Sequence, residues 1–396
     1  MQRRDLLNHL CKTSPEPIGI EVASAQGSWV VDTAGRRYLD FIAGIGVANV
    51  GHRHPAVVAA VRDQLDRYLH VMVYGEYLQA PQMALAAQLA AVAPAPLSVT
   101  YLTSSGAEAV EGALKTARKF TGRPGFVAFE RSYHGDTLGA MSVMGQKEPR
   151  APYEPLLPAV QILPWDETAA LGAIDERVAA VILEPIQAEG GVRLPSQDFL
   201  RRVRERCTAK GALLLVDEVV TGFGRTGRLF AVEHWGIVPD LLILAKAMGG
   251  GMPLGGFIGR PELMATLSVD PPLSHLTTFG GHPVSCAAGL ASLRVIQEEG
   301  LAEQAAKSGR RLLDTLAGWS GRSGLQTVRG LGLLIGMEFE TAARCERLVN
   351  DCRASGLLLG WTLHHDRVVR LAPPLNLTDD ELEQGLSVIK QVLDSH

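Results

Sequence analysis

Lys246 stands where a lysine is rarely found. It closes the apolar run DLLILAK (240–246), and the glycine-rich stretch AMGGGMPLGG (247–256) follows at once. Lysine is among the residue types least often buried without a partner or a function. A desolvated lysine has a lowered pKa, and its amine reacts with an aldehyde. The pattern therefore predicts a reactive lysine rather than a solvated one.

Two further stretches carry groups that suit a ligand with a phosphate and a basic ring. Asp217 ends the apolar run LLLVD, and the carboxyl ends of strands are where α/β sheets bind ligands. A structural acid that pairs with an arginine is an equally open interpretation. In TSSGAEAVEGALK (103–115), Ser105 or the serine before it can cap a helix, and Gly106 allows close approach of a ligand. Free N–H groups at a helix start bind phosphate, although this stretch alone could be an ordinary capped helix.

Taken together, the three stretches suit one cofactor, pyridoxal 5′-phosphate. Its phosphate needs an anion cup, for which Ser105, Gly106 and Ala107 are the candidates. Its aldehyde needs a lysine, Lys246, and its pyridine nitrogen needs a carboxylate, Asp217, so that the protonated ring withdraws electrons. Each feature alone is weak, whereas all three on one α/β sheet point to this cofactor.

Short apolar runs, each followed by a turn and a helical stretch, position these residues. Runs bounded by polar, Gly or Pro residues are typical of strands buried on both faces in a mostly parallel α/β sheet. The intervening SQDFLRRVRERCTAKG has the pattern of an amphipathic helix that ends at a glycine. The runs are FVAF (126–129), AAVILEP (179–185), ALLLVDEV (212–219), DLLILAK (240–246) and GGFIG (255–259).

The two ends of the chain have a different pattern. GSWVVDTAGRRYLDF (27–41) predicts a hairpin with DTAG as its turn, and TVRGLGLLIGMEFE (327–340) is strand-like. Thr378 and Glu381 fit a capping box at the start of a closing helix. We therefore predict a large cofactor-binding domain flanked by two parts of a small α+β domain. The predicted boundaries are 1–60 for the N-terminal part of the small domain, 61–295 for the large domain and 296–396 for the C-terminal part.

The stretch GFGRTG (222–227) raises a competing hypothesis, because its glycine spacing matches a nicotinamide-dinucleotide loop. Such a loop should open a helix directly after the first strand of a βαβ unit. This one lies far inside the chain, and RLFAVEHWGIVPD after it lacks helical apolar spacing. We interpret it as a surface turn near the cofactor and keep a nicotinamide-dependent oxidoreductase only as a distant alternative.

Composition excludes several classes of protein. The chain has 396 residues and a formal net charge of −4, with no dense Lys/Arg cluster that could follow a nucleic acid. Its five cysteines are scattered and form neither a metal spacing nor a disulfide framework, which fits a reducing compartment. We expect no secretory signal, and the sequence contains no apolar stretch of membrane-spanning length. We expect a soluble, cytoplasmic protein that binds no metal, nucleic acid or membrane.

These motifs resemble the class III pyridoxal-phosphate aminotransferases, which include acetylornithine, ornithine, 4-aminobutyrate, diaminopelargonate and ω-amine transaminases. The resemblance covers nearly the whole chain and implies the aspartate-aminotransferase fold (fold type I), as a homodimer with both active sites at the interface. The matching motifs, in chain order, are GHRHPAV, SSGAEAVEGALKTAR, YHGDTLGAMS, EPIQAEGG, LLLVDEVVTGFGRTGRLF, PDLLILAKAMGGGMPLG, TTFGGHPVSCAAG, RGLGLLIGMEF and VVRLAPPLNLT.

The resemblance implies roles for individual residues. Lys246 corresponds to the Schiff-base lysine that also moves the proton, and Asp217 to the partner of the pyridinium nitrogen. Gly106 and Ala107 correspond to the phosphate cup. Tyr133 would stack on one ring face, although a core aromatic is the alternative.

Other positions complete the implied cofactor site. His134 lies beside the stacking tyrosine, and Val219 would pack against the opposite ring face. Thr278 resembles the threonine that reaches the partner subunit's phosphate, and Thr277 beside it is a substrate candidate. Glu184 would be a hydrogen-bonding acid behind the cofactor or, almost equally, a structural acid at a strand end.

Glu189 and Arg370 resemble the family's switch pair. The arginine would bind the carboxylate of an acidic substrate through two parallel hydrogen bonds. The glutamate would neutralise that arginine when the uncharged end of an amine donor enters. A plain structural salt bridge is the alternative.

The sequence departs from the family pattern at several positions. Acetylornithine and ornithine enzymes have an arginine that grips a carboxylate where YHGDT has Asp136, which favours the ω-amine and diaminopelargonate branch. Val220 replaces a glutamine that contacts the cofactor's phenolic oxygen in many relatives, Ala188 a usual glycine and His282 a usual asparagine.

The stretch HVMVYGEYLQAPQ (70–82) lies where relatives line the substrate pocket, and Met72 and Tyr74 are its main candidates. Tyr77 is a further one, and an amphipathic connecting segment is the alternative. We predict a ping-pong transfer from a primary amine or an ω-amino or diamino acid to 2-oxoglutarate or pyruvate. The alternatives are an acetylornithine/ornithine-type aminotransferase and an aminomutase or racemase of the same fold.

Overall fold

The computed structural model describes residues 9–15, 17–73 and 75–395. Its strands and helices are numbered here in chain order. The strands are β1 (Val22–Gln26), β2 (Trp29–Asp32), β3 (Arg37–Asp40), β4 (Val99–Thr103), β5 (Gly125–Phe129), β6 (Val160–Leu163), β7 (Val178–Leu183), β8 (Leu213–Asp217), β9 (Leu241–Leu244), β10 (Gly255–Gly259), β11 (Leu325–Leu331), β12 (Leu334–Phe339), β13 (Leu357–Leu358), β14 (Gly360–Trp361) and β15 (Val368–Leu371).

The α-helices lie between and after these strands. They are α1 (Ala43–Gly46), α2 (Pro55–Leu65), α3 (Ala80–Val92), α4 (Gly106–Thr121), α5 (Leu138–Ser142), α6 (Lys147–Arg150), α7 (Phe199–Lys210), α8 (Pro261–Met264), α9 (Pro283–Glu298), α10 (Leu301–Ala317), α11 (Ala342–Ala354) and α12 (Asp379–Asp394). Short 3₁₀ helices lie at Ala151–Tyr153, Thr168–Ala173, Ala231–His234, Lys246–Gly249 and Ala265–Ser268.

A mostly parallel sheet forms the centre of the molecule, as predicted. Within the described residues it has seven strands in the order β4-β10-β9-β8-β7-β5-β6. β10 pairs antiparallel with both of its neighbours, and the pairs from β9 through to β6 are parallel. The five apolar runs read from the sequence form β5, β7, β8, β9 and β10.

Helices cover both faces of this sheet, which explains why its central strands carry apolar residues on both faces. In β8, Leu213 and Leu215 pack into a core on one face, whereas Leu214 and Val216 pack into the larger core on the other. Helix α4 belongs to the first core and lies so close that a side chain at Gly112 would overlap Phe257. An unbroken apolar run is the pattern that such a two-sided strand requires.

The N-terminal segment joins the C-terminal part of the chain. β2 and β3 form the predicted hairpin, whose turn closes with a 3.0 Å hydrogen bond from the Gly35 amide to the Asp32 carbonyl. β3 also pairs in parallel with β13, through Leu39 and Leu357. The strand-like stretch after residue 325 forms two antiparallel strands, β11 and β12, in a sheet with β15 and β14.

The predicted helix boundaries at α7 and α12 are confirmed. Helix α7 ends at Gly211, which has the left-handed φ of 64°. Helix α12 begins at Thr378, whose hydroxyl accepts a hydrogen bond from the Glu381 amide while the Glu381 carboxylate accepts from the Thr378 amide. Among the described helices, none has both the length and the apolar character needed to cross a membrane.

The interpretation of GFGRTG as a surface turn is wrong. Gly222 to Thr226 are buried, and the Arg225 side chain is 0% exposed. The reason is that the Arg225 guanidinium donates hydrogen bonds to groups from distant parts of the chain, which enclose the turn. No helix opens at this turn, in contrast to a dinucleotide-binding loop.

Candidate active site

The residues predicted to take part in the reaction lie together at the carboxyl ends of the parallel strands. Glu184 follows β7 directly, Asp217 ends β8, and Lys246 lies two residues beyond β9. Because these strands are neighbours in the sheet, their ends open onto one cavity of about 560 Å³. The residues that line it include Val47, Ser104, Ser105, Gly106, Ala107, Tyr133, His134, Asp136, Glu184, Glu189, Asp217, Val219, Val220 and Lys246.

Asp217 is held in place by a histidine and by its own turn. Its Oδ2 lies 2.7 Å from His134 Nδ1, and its Oδ1 accepts a 3.0 Å hydrogen bond from the Val219 amide. The structural alternative for this acid was an arginine partner, but its partner is His134. The Nε2 atom of His134 is buried and has no hydrogen-bond partner among the described residues.

Lys246 is half-buried, beside three carboxylates. Burial lowers the pKa of its amine, and the charge of Arg370 lowers it further, against the raising effect of Glu189, Asp217 and Glu184. Because desolvation is the largest effect, the pKa is below that of an ordinary lysine. The amine is therefore more readily available as a nucleophile at neutral pH.

Helix α4 presents its N-terminus to the cavity. The Ser105 hydroxyl accepts a 3.2 Å hydrogen bond from the Glu108 amide, and the Glu108 carboxylate accepts one of 2.8 Å from the Ser104 amide. The Gly106 and Ala107 amides have no acceptor among the described residues. A Cβ atom at Gly106 would lie 3.2 Å from Val219, so a larger residue would crowd the space between helix and cavity.

Tyr133 lies at the wall of the cavity between two acids. Its backbone amide donates to Glu184 Oε1 at 3.0 Å, and its hydroxyl donates to Asp136 Oδ2 at 2.7 Å. Burial, the hydrogen bond to Asp136 and the charges of Asp136, Glu189 and Asp217 raise the pKa of the tyrosine well above its usual value. Burial also raises the pKa of Glu184 to about 7.

Glu189 and Arg370 form a buried ion pair, with Nη1 2.5 Å from Oε1. The second oxygen, Oε2, accepts a 3.0 Å hydrogen bond from the Leu363 amide, and the Glu189 carbonyl accepts one of 2.9 Å from the His364 amide. Sequence reasoning missed Leu363 and His364, because the stretch WTLHHD contains no recognisable motif and acts through its backbone.

Four predicted residues, Met72, Thr277, Thr278 and Arg370, do not line the cavity that this single chain forms, although Arg370 is paired with Glu189, which does. Tyr74 lies outside the described residues. Thr277 Oγ1 accepts a 3.0 Å hydrogen bond from the Gly280 amide, and Thr278 is exposed. Val219 and Val220 both line the cavity, and the apolar side chain at Val220 offers no hydrogen bond to a ligand.

The residues of the cavity fit pyridoxal phosphate. The free amides of Gly106 and Ala107 suit a phosphate, the Lys246 amine suits an aldehyde, and Asp217 suits a protonated pyridine nitrogen. No group of three or more His, Cys, Asp or Glu residues that could hold a metal ion occurs in the described part of the chain. The cavity therefore has the donors and acceptors of an organic cofactor site.

Comparison with known families decides the identity of this site. The family model described as aminotransferase class-III matches residues 11–393. The chain belongs to this family. It is thus a pyridoxal-phosphate-dependent aminotransferase, which confirms the predicted family, cofactor and class of reaction.

Curated relatives are similar along the whole length of the aminotransferase. It is 40% identical to an acetylornithine aminotransferase of Methanopyrus kandleri over 394 residues, which cover 99% of both chains. It is 41% identical to an acetylornithine aminotransferase of Methanosarcina mazei over 372 residues, covering 93% of this chain and 91% of the relative.

Solved structures confirm fold type I. An ornithine aminotransferase from Toxoplasma gondii is similar with a TM-score of 0.91 and 31% identity, over 100% of this chain and 94% of the other. An amine transaminase from an uncultivated Pseudomonas species, in its PLP-bound form, is similar with a TM-score of 0.89 and 29% identity, over 98% and 99% of the two chains.

Proposed function

We propose that this aminotransferase moves an amino group from a primary amine, or from an ω-amino or diamino acid, to 2-oxoglutarate or pyruvate. The observation that carries the proposal is the position of Asp136, whose carboxylate lines the cavity and accepts a hydrogen bond from Tyr133. An acid at this position repels a substrate carboxylate and attracts a substrate ammonium group.

Pyridoxal phosphate, when bound, supplies an aldehyde that takes up amino groups and a ring that withdraws electrons from the reacting carbon. Lys246 would hold the cofactor through its aldehyde group and would move a proton at the reacting carbon as general acid and base. Asp217, oriented by His134, would keep the pyridine nitrogen protonated. Gly106 and Ala107 would bind the phosphate, and Tyr133 and Val219 would pack against the ring.

The Glu189–Arg370 pair lets the cavity accept two unlike substrates in turn. When the oxo acid enters, Arg370 leaves Glu189 and binds the substrate carboxylate through its two parallel N–H groups. When the amine donor enters, the ion pair reforms and presents no net charge to an uncharged group. The hydrogen bonds from Leu363 and His364 keep Glu189 in place during this exchange.

A second candidate is an acetylornithine-type aminotransferase, because the curated relatives described above have that name. The two candidates differ in what the donor presents to Asp136. Acetylornithine reacts through its free distal amine and presents a carboxylate and a neutral acetamide at its other end, whereas a diamine presents an ammonium group there. A panel of acetylornithine, ornithine, lysine, 4-aminobutyrate, diaminopelargonate and simple diamines, each with both oxo acids, separates the candidates by kcat/KM.

The variant Asp136→Arg sharpens this experiment. If Asp136 selects for an ammonium group, the arginine lowers kcat/KM for diamines by about 10- to 100-fold and leaves or raises kcat/KM for acetylornithine. Asp136→Asn is the matched control, because it keeps the hydrogen bond from Tyr133 and removes only the charge. A wild type that strongly prefers acetylornithine would overturn the first candidate in favour of the second.

We also propose a homodimer, a cytoplasmic location and the domain division 1–60, 61–295 and 296–396. The dimer is supported by exposed apolar residues next to Thr277 and Thr278, namely Leu276 and Phe279. A reducing compartment is supported by the free cysteines, of which four are buried and Cys11 is exposed. The division is supported by the pairing of β3 with β13, which joins the two ends of the chain.

A further inference from the structure

The turn GFGRTG has no part in the proposed chemistry, yet it contains Arg225, the largest fully buried side chain among the described residues. A buried guanidinium costs free energy unless its charge is compensated. Arg225 has no carboxylate within salt-bridge distance among the described residues, and its Nε atom has no hydrogen-bond partner there. Retaining an arginine at this position therefore calls for a specific explanation.

The contacts of Arg225 converge on the strand pair that carries Arg370. Arg225 Nη1 donates to the Leu333 carbonyl at 3.0 Å and to the Pro373 carbonyl at 2.5 Å. Leu333 directly precedes β12, and Pro373 lies two residues beyond β15. Because these strands are antiparallel, with Ile335 opposite Leu371, the two carbonyls lie at the same end of the ladder.

The turn also connects this end of the ladder to the N-terminal segment. Arg225 Nη2 donates to Asn49 Oδ1 at 2.6 Å, and Asn49 Nδ2 donates to the Phe223 carbonyl at 2.8 Å. The Asn49 carbonyl in turn accepts a 2.8 Å hydrogen bond from the Leu375 amide, five residues after Arg370. Hydrogen bonds therefore hold the segment that follows Arg370 at two residues, Pro373 and Leu375.

The glycines of the motif have a packing reason. Gly224 has φ 89°, and a Cβ atom there would lie 2.8 Å from Leu375. Gly227 has φ 92°, and a Cβ atom there would lie 2.9 Å from the Cβ of Ala306. The spacing that resembles a dinucleotide loop instead lets the turn approach the C-terminal segments closely.

We infer that Arg225 is a positioning residue for Arg370: by clamping the ends of β12 and β15 it fixes where the Arg370 guanidinium meets the carboxylate of the oxo acid. This inference rests on the proposed role of Arg370. A displacement of Arg370 by about 1 Å would lower the affinity for the oxo acid by about 10- to 100-fold and would leave the amine donor's binding nearly unchanged.

Binding of glutarate, an unreactive dicarboxylate, to the holoenzyme tests this inference without turnover. Calorimetry on Arg225→Met and Arg225→Lys should give a dissociation constant about 10- to 100-fold higher than that of the wild type. The rate of the amine half-reaction should stay within about twofold of wild type. Arg204→Met is the matched control, because Arg204 pairs with Asp240 at 2.7 Å and has no contact with β12 or β15.

A double variant separates positioning from general destabilisation. In an Arg370→Ala background, Arg225→Lys should have no further effect on glutarate binding, because the group that it positions is gone. If the two effects add, or if both half-reactions fall equally, Arg225 does not act through Arg370 and the inference is overturned. Unchanged glutarate binding in the Arg225 variants overturns it as well.

Failure of the proposed function has a different signature. If Arg370→Ala alone leaves glutarate binding unchanged, Arg370 does not bind the oxo acid, whatever the Arg225 variants do. If Arg225→Met does not fold, glutarate binding can still be measured on Asn49→Ser and Arg225→Lys. Asn49→Ser shortens the side chain that accepts from Nη2 and should weaken glutarate binding in the same direction.

Discussion

The amine of Lys246 is surrounded by carboxylates, yet it has no ion-pair partner among the described residues. Glu189, Asp217 and Glu184 each favour its protonated form, and burial opposes them. Burial has the largest effect, so the pKa of the amine is lowered. A lysine in this state is suited to alternate between holding a carbonyl carbon and carrying a proton.

The variant Lys246→Ala should abolish amino transfer while preserving the fold. We expect a fall in turnover of at least about 10³-fold, because one residue supplies both the attachment of the cofactor and the proton transfer. Removing a desolvated amine should leave the thermal midpoint unchanged or raise it. Both half-reactions and the circular dichroism spectrum check this.

Lys210→Ala is the control for that experiment, because Lys210 pairs with Glu176 at the surface, 2.6 Å away, and is remote from the cavity. It should retain full activity. Turnover of Lys246→Ala within tenfold of the wild type would show that another group does the chemistry.

Lys246, Asp217 and Gly106 could be predicted from the sequence because each stands where an apolar run ends or a helix begins. The partner of Asp217 could not be predicted, because His134 is 83 residues away and on a different strand end. The backbone contacts of Leu363 and His364 with Glu189 were also beyond prediction, since any residue type can make them.

At the scale of elements, apolar runs predicted the central strands because a strand covered on both faces needs apolar residues throughout. The turn GFGRTG was misread because its position depends on Arg225, whose partners Asn49, Leu333 and Pro373 come from three distant segments. Local patterns contain no information on such contacts. The glycine spacing was therefore visible in the sequence, but the close packing of the turn against distant segments, which requires these glycines, was not.

Two helix caps of the same kind allow stability and cofactor binding to be separated. Ser105 caps α4 and Thr378 caps α12, and each hydroxyl accepts a 3.2 Å hydrogen bond from a backbone amide. Ser105→Ala and Thr378→Ala should each cost about 1 kcal/mol of stability. Only Ser105→Ala should also weaken binding of pyridoxal phosphate, because the start of α4 lines the cavity and α12 does not.

Thermal unfolding and cofactor titration of the two variants check this prediction. Thr378→Ala is the matched control for stability without a change at the site. Equal cofactor affinity in both variants would contradict the assignment of the α4 N-terminus as the phosphate cup.

At the scale of the whole molecule, one exposed apolar region indicates how two copies would meet. Leu78 is 84% exposed and Phe279 is 57% exposed. The two segments are adjacent, since the ring of His70 lies 4.9 Å from that of Phe279 and Gln82 donates to the Gly281 carbonyl at 2.7 Å. Exposed patches of this kind mark interaction surfaces.

Phe279→Asp should therefore convert the proposed dimer to monomers of 42.4 kDa and reduce activity. A buried charge at an interface is costly, and Thr278 beside it would lose its place opposite the partner's site. Sedimentation velocity at several concentrations measures this. Tyr153→Asp, at another exposed aromatic residue, should remain dimeric, and a wild type that sediments as a monomer would contradict the proposal.

The pH dependence of stability should contain a contribution from Glu218. This carboxylate is 0% exposed, accepts hydrogen bonds from the Ala231 and Val232 amides at 2.6 and 2.8 Å, and has its pKa raised to about 7 by burial. The unfolded value is 4.5, so the folded state retains the proton between these values while the unfolded state releases it. Stability is therefore lost as the pH rises from about 4.5 to about 7, by up to about 3 kcal/mol from this residue.

Glu218→Gln removes that contribution and should flatten the fall in the urea midpoint between about pH 5 and about pH 8. The amide also changes the hydrogen bonds to Ala231 and Val232, which shifts stability by a constant amount at every pH and leaves the slope interpretable. Glu205→Gln, on the exposed side of α7, should keep the slope of the wild type. Identical slopes in all three proteins would mean that Glu218 is ionised in the fold throughout this range, with its two backbone donors outweighing the cost of burial.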